Sequence, residues 1–498
     1  MEYRQLAVAV SAAAVVALLP LESHALTLEE LAARVELLDQ ENQRLKARLA
    51  ELETNQAETQ AQTQALADAQ PAPAAPAAAQ QTAQASGIAV PSVRVDHQHA
   101  YRMLDPTTRI NRKQEYLLRA RQNGDIDTNS VYLSGAVTAI ADYQRSNTES
   151  KFGYLMRHPT ANNQRTHEVS EAIIHSAQLS LTATLGDWTN AYMELLYDPQ
   201  QSFGSGTTTD LNRNQVQVRQ GYVLFGNLDR SPFYLSLGKM ATPFGLTDTL
   251  NPFTASTVWH GFGGLAYGAN LGLIYEGWNL DLMAVQGGSQ FRAANTPVDD
   301  SNVPSRLNNY AADLNYTFDL GTDRSLLMGA SYLKGSPYCQ GFPVVHFNPC
   351  EDTNPAWDVY AQLTYENWTL QAEYAATLDE WPGTFNPTIP EYEASKVNSW
   401  NLGSRTEQQL FGRPYDLSLD FSRYKAGPSG SPWEKQDQWV LGLATFLTPS
   451  TKLFGELIRT EGYVPLNFIS GGNVGPGATH SDADAHSDVI VVGANVAF

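Results

Sequence analysis

The sequence predicts an all-β transmembrane barrel of about sixteen antiparallel strands, preceded by a short α-helical coiled coil. Three observations predict the barrel: the pattern of the last twelve residues, the alternation of short and long connections through residues 130–498, and the aromatics that follow the short turns. Ser487 to Phe498 places Ile490, Val492, Ala494, Val496 and Phe498 on one face of an extended strand. A closing strand of an outer-membrane barrel needs this pattern, because its outward side chains meet lipid and a terminal aromatic meets the membrane interface.

Composition agrees. Mean hydropathy is −0.32, and the one long apolar run is N-terminal, which excludes a bundle of membrane helices. Aromatic residues make up 10% of the chain, alongside many Gly, Asn and Thr, as suits strands wetted on one face and lipid-facing on the other. The net charge of −20 disfavours a nucleic-acid partner, whose phosphates need a basic face, and favours cations or neutral solutes.

In chain order, residues 1–25 read as a secretory signal peptide, with Arg4, an apolar stretch from Leu6 to Leu19, and Ser23-His24-Ala25 at the cleavage site. Residues 26–55 carry a heptad repeat, with Leu28, Val35, Asn42 and Leu49 at a and Leu31, Leu38, Leu45 and Leu52 at d. Asn42 fixes the register and leans toward a dimer, while porins are commonly trimers; both states of self-association stay open. Residues 56–92 are a Gln/Ala/Pro-rich linker with no means of building a core. Residues 93–129 form a pre-barrel segment. A helix is expected there from Asp105-Pro106-Thr107-Thr108 to Gly124, carrying Arg109, Arg112, Lys113, Arg119 and Arg121 against Glu115. Such a basic helix either docks in the lumen of an acidic barrel as a plug or lies solvated at the membrane surface. Asp96-His97-Gln98-His99 reads as a solvated entry segment, and neither metal nor cofactor is expected.

From residue 130, short turns are expected at Gly186-Asp187, Gly226 to Asp229, Glu276-Gly277, Gly321 to Asp323, Glu366-Asn367, Thr406 to Pro414 and Thr448-Pro449-Ser450. Long segments lie between them, among them Gln144 to His167, Ala241 to Leu265 and Gly335 to Pro355. Seven short turns and eight long loops connect sixteen strands and put both barrel ends on the periplasmic side, with the coiled coil. Cys339 and Cys350 fall together in one external loop and are expected to form a disulfide there. Trp188, Trp278, Trp368 and Tyr415 follow short turns and are expected to form an interfacial girdle.

Three stretches carry a family resemblance: Val131-Tyr132-Leu133-Ser134-Gly135-Ala136-Val137; Ser231 to Lys239 running into Pro243-Phe244-Gly245; and Trp368-Thr369-Leu370-Gln371-Ala372-Glu373-Tyr374. With the signal peptide, heptads and linker in this order, the chain resembles outer-membrane siderophore porins of the legiobactin-receptor type, within the wider group of coiled-coil-bearing porins. The Gly-Lys…Pro-Phe-Gly element is also similar to one in phosphate-selective and dicarboxylate porins. The resemblance implies a passive, energy-independent route for a ferric siderophore or a comparable small solute, with outer-membrane lipid as the surrounding partner.

The polar strand faces supply the pore-lining candidates Asp142, Gln178, Asp313, Asn315, Gln362, Gln371 and Glu373, a lining suited to hydrated cations, sugars or a polyhydroxylated chelate. Lysines on strands are isolated, which disfavours a phosphate pore. A general cation-, neutral-solute- or dicarboxylate-type porin is the alternative within this class, and a barrel that tethers the envelope through its coiled coil is the alternative outside it. No catalytic residue is expected: the barrel has no Gly-x-Ser-x-Gly element, and no local pattern recruits His175 or His260.

Overall fold

In the computed structural model the described residues are 92–105, 112–149, 151–153, 166–197, 216–246, 249–286, 307–339, 341, 353–410, 412–465, 469–470 and 477–498, all within the unit Ala89–Phe498. The signal peptide, the heptads and the linker up to residue 91 lie outside them. So do Arg109 and Cys350, whereas Cys339 is disulfide-bonded.

The chain opens with a short strand β1 (Ser92–Arg94) and two helices, α1 (His97–Leu104) and α2 (Lys113–Asn123). Sixteen barrel strands follow: β2 (Ser130–Ser146), β3 (Glu168–Leu185), β4 (Thr189–Tyr197), β5 (Val216–Gly226), β6 (Phe233–Ala241), β7 (Leu265–Tyr275), β8 (Trp278–Val285) and β9 (Asn309–Asp319). The second half is β10 (Arg324–Leu333), β11 (Ala356–Tyr365), β12 (Trp368–Thr377), β13 (Asn398–Leu410), β14 (Arg413–Lys425), β15 (Lys435–Thr448), β16 (Thr451–Tyr463) and β17 (Asp482–Ala497). Each pairs antiparallel with the next, and β17 returns to β2 from Ser487↔Ser146 to Ala497↔Ala136. The expected strand number and all seven short turns are therefore present. At Glu276-Gly277 both residues have positive φ, 45° and 87°, the geometry of a two-residue hairpin whose twist matches its strands.

Alternation sorts the side chains. On β17, Ile490, Val492, Val496 and Phe498 are exposed on the outer face, while Val489, Val491 and Asn495 point inward and are buried. The same division holds around the ring, with Leu314, Leu370, Leu402, Leu419 and Leu441 outside. A continuous apolar exterior over fully paired backbone is what a hydrocarbon environment demands of strands. Trp188, Trp278 and Trp368 are exposed at the short-turn end, and Tyr415 is half-buried there. No helix among the described residues is long and apolar enough to cross a membrane.

The seam between first and last strands is sealed twice. Phe498 and Gly135 exchange backbone hydrogen bonds of 2.7 and 2.8 Å. Beyond that point β2 outruns β17, and β1 takes the vacated edge, pairing parallel as Ser92↔Ser130 and Val93↔Val131. The Phe498 ring lies over Gly135, where an added Cβ would come within 2.5 Å of its Cζ. The glycine is thus the seat of the last aromatic, a backbone left bare so that a ring can cover it.

Two sequence expectations change here. The Asp96–His99 stretch is not a loose entry segment: Asp96 caps α1, its Oδ1 accepting from the N–H groups of Gln98 and His99 at 2.8 and 3.0 Å. Ala100, Met103 and Leu104 recur at helical spacing on the buried face, so the helix forms by docking. The Ala241–Leu265 connection is not an external polar loop; Phe244, Leu246, Leu250, Phe253, Val258 and Phe262 are buried in it, and it folds into the barrel. Helix α2 ends as expected at Gly124, in the left-handed conformation with φ 78°, but begins only at Lys113.

Replacing Gly135 with Val should cost about 1–3 kcal/mol through overpacking against Phe498. In urea unfolding of the vesicle-inserted barrel, Phe498→Ala should recover part of that loss. Strictly additive effects would show that the ring and the glycine are not coupled.

Candidate functional site

The interior is the candidate site, and two inward elements build it. The first is the pre-barrel segment. His99 on α1 sits between walls, its Nδ1 3.3 Å from Tyr116 Oη on α2 and its Nε2 3.1 Å from Thr182 Oγ1 on β3. Burial holds its ring pKa down at about 4, with Arg102 adding to the effect and Asp96 opposing it. Lys113, at the start of α2, donates to Glu194 Oε2 on β4 at 2.9 Å. Tyr192 Oη donates to the same oxygen at 2.9 Å, while Gln178 Nε2 and Arg219 Nη1 reach Oε1 at 3.0 and 3.4 Å. Lys113 and Glu194 are 3% and 0% exposed, so this is a desolvated network in which one carboxylate serves two cations. Burial of the Lys113 ammonium pushes its pKa down, and Glu194 works against that.

The other basic residues spread across the lumen. Arg112 Nη2 reaches Tyr360 Oη on β11 at 3.4 Å, and Tyr360 in turn donates to both Asp313 oxygens at 2.9 Å. Arg121 donates to Asn190 Oδ1 at 3.0 Å and to the Gly186 carbonyl at 2.6 Å. Arg119 is bound by Glu115 on its own helix at 2.8 Å, and Glu115 also accepts from Asn279 on β8 at 3.0 Å. Four of the five plug candidates are therefore described, and Arg112, Lys113 and Arg121 meet the inner wall directly.

The second element is the 242–264 segment, which includes a short helix α3 (Thr257–Phe262). It crosses to the far wall. The N–H groups of Phe253 and Thr254 donate to Glu456 Oε1 on β16 at 2.8 and 2.9 Å. Thr257 meets Ser422 and Ser399 on β14 and β13, and Gly245 N–H donates to Ser331 Oγ on β10 at 2.8 Å. Lys452 on β16 joins the two elements: its Nζ lies 2.6 Å from Asp105 Oδ2 and 3.1 Å from the Pro252 carbonyl.

All seven pore-lining candidates point inward. Six are buried and Gln362 is half-buried, so they form hydrogen-bonded wall rather than open, solvated lining. Asp313 accepts from Ser331 and Asn315 at 2.6 and 2.8 Å, and Gln144 donates to Asp142 at 3.1 Å. Gln362, Gln371, Asn401 and Asp420 form an amide ladder across β11 to β14, with steps of 3.0, 3.4 and 2.7 Å. Glu373 and Asp358 converge on Gly245, whose φ is 71° and whose Cα faces both carboxylates, so no side chain fits there. Sequence reasoning missed Glu194, Lys452, Glu456 and Asp358. An isolated charge on an inward strand position was the available signal, but its partners come from distant segments.

Of the histidines weighed for catalysis, His175 stacks edge-on against Phe253 at 4.9 Å and His260 lies against Trp259. No group of three or more metal-ligating side chains occurs among the described residues.

Glu194→Gln should destabilise the docked pre-barrel segment far more than Lys113→Met. The first strands two buried cations, about 3–5 kcal/mol, whereas the second leaves Glu194 paired with Arg219. Hydrogen exchange of the α2 amides reads this, and equal effects would break the network argument. His99 gives a pH dependence of determinate sign. Because its pKa falls on docking, the docked state is favoured fully above about pH 6.5 and loses that stability as pH drops toward 4. Protection factors of the α1 amides, taken relative to the intrinsic exchange rate at each pH, should fall over that window, and His99→Gln should flatten the response.

No family model matches the chain. A stretch of 88 residues, 17% of this chain and 16% of the relative, is 30% identical to a UPF0422 protein of Legionella pneumophila strain Paris. A stretch of 58 residues, 12% of this chain and 11% of the relative, is 38% identical to a UPF0422 protein of Coxiella burnetii. The match thus spans about a sixth or less of the length of these curated relatives. Among solved structures, similarity is found to an anion-selective porin from Comamonas acidovorans (15% identity, 74% of this chain and 99% of that one, TM-score 0.45). It is also found to the outer membrane channel DcaP of Acinetobacter baumannii (14%, 74% and 97%, 0.45) and to Pseudomonas putida OprB at high pH (11%, 74% and 94%, 0.46).

Proposed function

We propose that this chain is a bacterial outer-membrane channel giving small solutes passive passage, with its pre-barrel segment held in the lumen as a constriction. The observation that carries the reading is the contrast between size and contents. Sixteen strands are enough to enclose an aqueous channel rather than a packed interior, yet here the interior is occupied by two polar-tethered segments of the chain. Both segments bury apolar side chains against the wall, and both are also tied to it by ion pairs and hydrogen bonds, contacts that water can replace once a segment moves.

A ferric siderophore is the solute we favour. The acidic and amide wall suits a polyhydroxylated chelate, and the family resemblance of the strands points the same way. A solute of that size needs α1 and α2 displaced, so the reading includes release of the pre-barrel segment. Hydrated cations or neutral solutes are the smaller cargo that the same wall accommodates. Residue 92 lies at the short-turn end, beside Ser130. That placement supports a periplasmic position for the preceding heptads, where they would join two or three copies.

Single-channel recording in a planar bilayer tests this. The full chain should give small, cation-preferring steps, and removal of residues 92–129 should raise conductance several-fold, with the 242–264 segment left as the remaining constriction. Added ferric siderophore should block the enlarged channel. Absence of conductance from both proteins would refute the channel reading, and enlarged steps without blockade would refute the siderophore alone.

A further inference from the structure

Around Glu194, hydrogen-bond donors and positive charge both exceed what is there to receive them. A bulge in β5 brings this about. Glu194 stands opposite Gln220 and Leu195 opposite Val218, so Arg219 is the extra residue of the pair. Arg219 and Gln220 are consequently both buried beside Glu194, although neighbours on a regular strand point to opposite faces. Both oxygens of Glu194 are already taken, Oε2 by Lys113 and Tyr192 and Oε1 by Gln178 and Arg219.

The surplus donors have a definite geometry. Among the described residues Arg219 makes one hydrogen bond, the 3.4 Å contact of Nη1 with Glu194. Its Nε is buried without an acceptor, which leaves unused the flat Nε–Nη2 edge by which a guanidinium grips two oxygens of a carboxylate or phosphate. Gln220 Nε2 and Tyr222 Oη are buried donors without an acceptor too. Donors desolvated in this way are costly unless something receives them.

The charges agree. Lys113 and Arg219 share one carboxylate, and Glu194 is the one acid that acts on Lys113 among the described residues. Lys239 on β6, half-buried and acted on by Arg219, adds a further positive charge. Helix α2 starts at Lys113 without a side-chain cap, so the positive end of its dipole lies there as well. Docking of α2 creates the excess: without Lys113 the Arg219–Glu194 pair is neutral. An anion at Arg219 and a docked pre-barrel segment therefore favour each other.

We propose that Arg219, Gln220 and Tyr222 form a site for a small oxyanion, a carboxylate or phosphate, whose binding holds the pre-barrel segment in place. The oxyanion accepts from Nε and Nη2 of Arg219, from Gln220 Nε2 and from Tyr222 Oη, and balances the second cation on Glu194. Chloride supplies the charge without the paired oxygens that match the fork. The site rests on the docked segment and not on what the channel conducts, so a failed conductance experiment leaves it standing.

Amide exchange of α2 in the full chain, inserted in vesicles at neutral pH, tests this. Sodium chloride is replaced in steps by sodium phosphate or by sodium acetate at constant ionic strength. A ligand that binds only the docked state raises protection by one plus the ratio of its concentration to Kd, so at about ten times Kd an oxyanion should raise it on the order of ten-fold over chloride. Which of the two salts acts tells phosphate from carboxylate. Arg219→Lys keeps a cation beside Glu194 but loses the fork, and should cut the rise several-fold. Gln220→Met removes only groups that have no partner, should weaken the apparent affinity, and is the decisive variant if Arg219→Lys does not fold. Equal protection in all three salts, or a rise that both variants leave intact, would overturn the proposal.

Discussion

Closure is the constraint on which everything else depends. In hydrocarbon an unpaired backbone N–H or C=O costs several kcal/mol, so a sheet that crosses a membrane can have no edge. Here the last opportunity for an edge is the stretch of β2 that extends past the end of β17, and the chain covers it with β1, three residues from the opposite end of the described unit. That small parallel pairing also fixes where the pre-barrel segment starts. Chain leaving β1 stands at the rim of a ring it has just sealed, and the inner wall is the nearest surface on which an amphipathic helix can bury Ala100, Met103 and Leu104.

Once inside, the segment meets a wall whose chemistry is the complement of the outer face. Alternation forces every second residue of sixteen strands inward, and these are mostly Ser, Thr, Asn, Gln, Asp and Glu. Such a wall cannot be covered by an apolar helix without leaving polar groups unpaired, at about 1–3 kcal/mol each. The helices answer with an apolar stripe against Tyr132, Tyr192 and Tyr222 and a few charged groups placed where single carboxylates wait. Glu194 and Asp313 thereby find positive partners, and Lys452 finds Asp105.

The ring was legible in the sequence because its signals are local. A period of two, a turn residue and an aromatic beside it lie within about twelve residues, and a barrel repeats them until strand number and end placement follow. The filling was not legible for the opposite reason. Lys113 meets Glu194 and Asp105 meets Lys452 across separations that no spacing rule spans. The Ala241–Leu265 stretch was misjudged by position: it falls where an external loop belongs, although Phe244, Leu250, Phe253 and Phe262 already made it too apolar to live in water. Asp96 has the side chain of an N-cap, but the polar His97-Gln98-His99 that follows reads as solvated entry chain until the surface that buries Ala100, Met103 and Leu104 is known.

The two inward elements are not independent, and this bears on how the lumen opens. Lys452 is the one wall residue described above that holds both, through Asp105 on the pre-barrel side and the Pro252 carbonyl on the other. If the pre-barrel segment leaves, Lys452 loses its buried counter-ion. A buried ammonium left with a carbonyl and the more distant Asp416 carboxylate is costly, so the wall there must take in water, draw an anion closer or let Pro252 shift. Each of these loosens the segment anchored at Glu456, a few residues along the same strand. On the proposed reading, opening is therefore cooperative: the Lys452–Asp105 ion pair that ties the pre-barrel segment to the wall is the same one whose loss admits water beside the second segment.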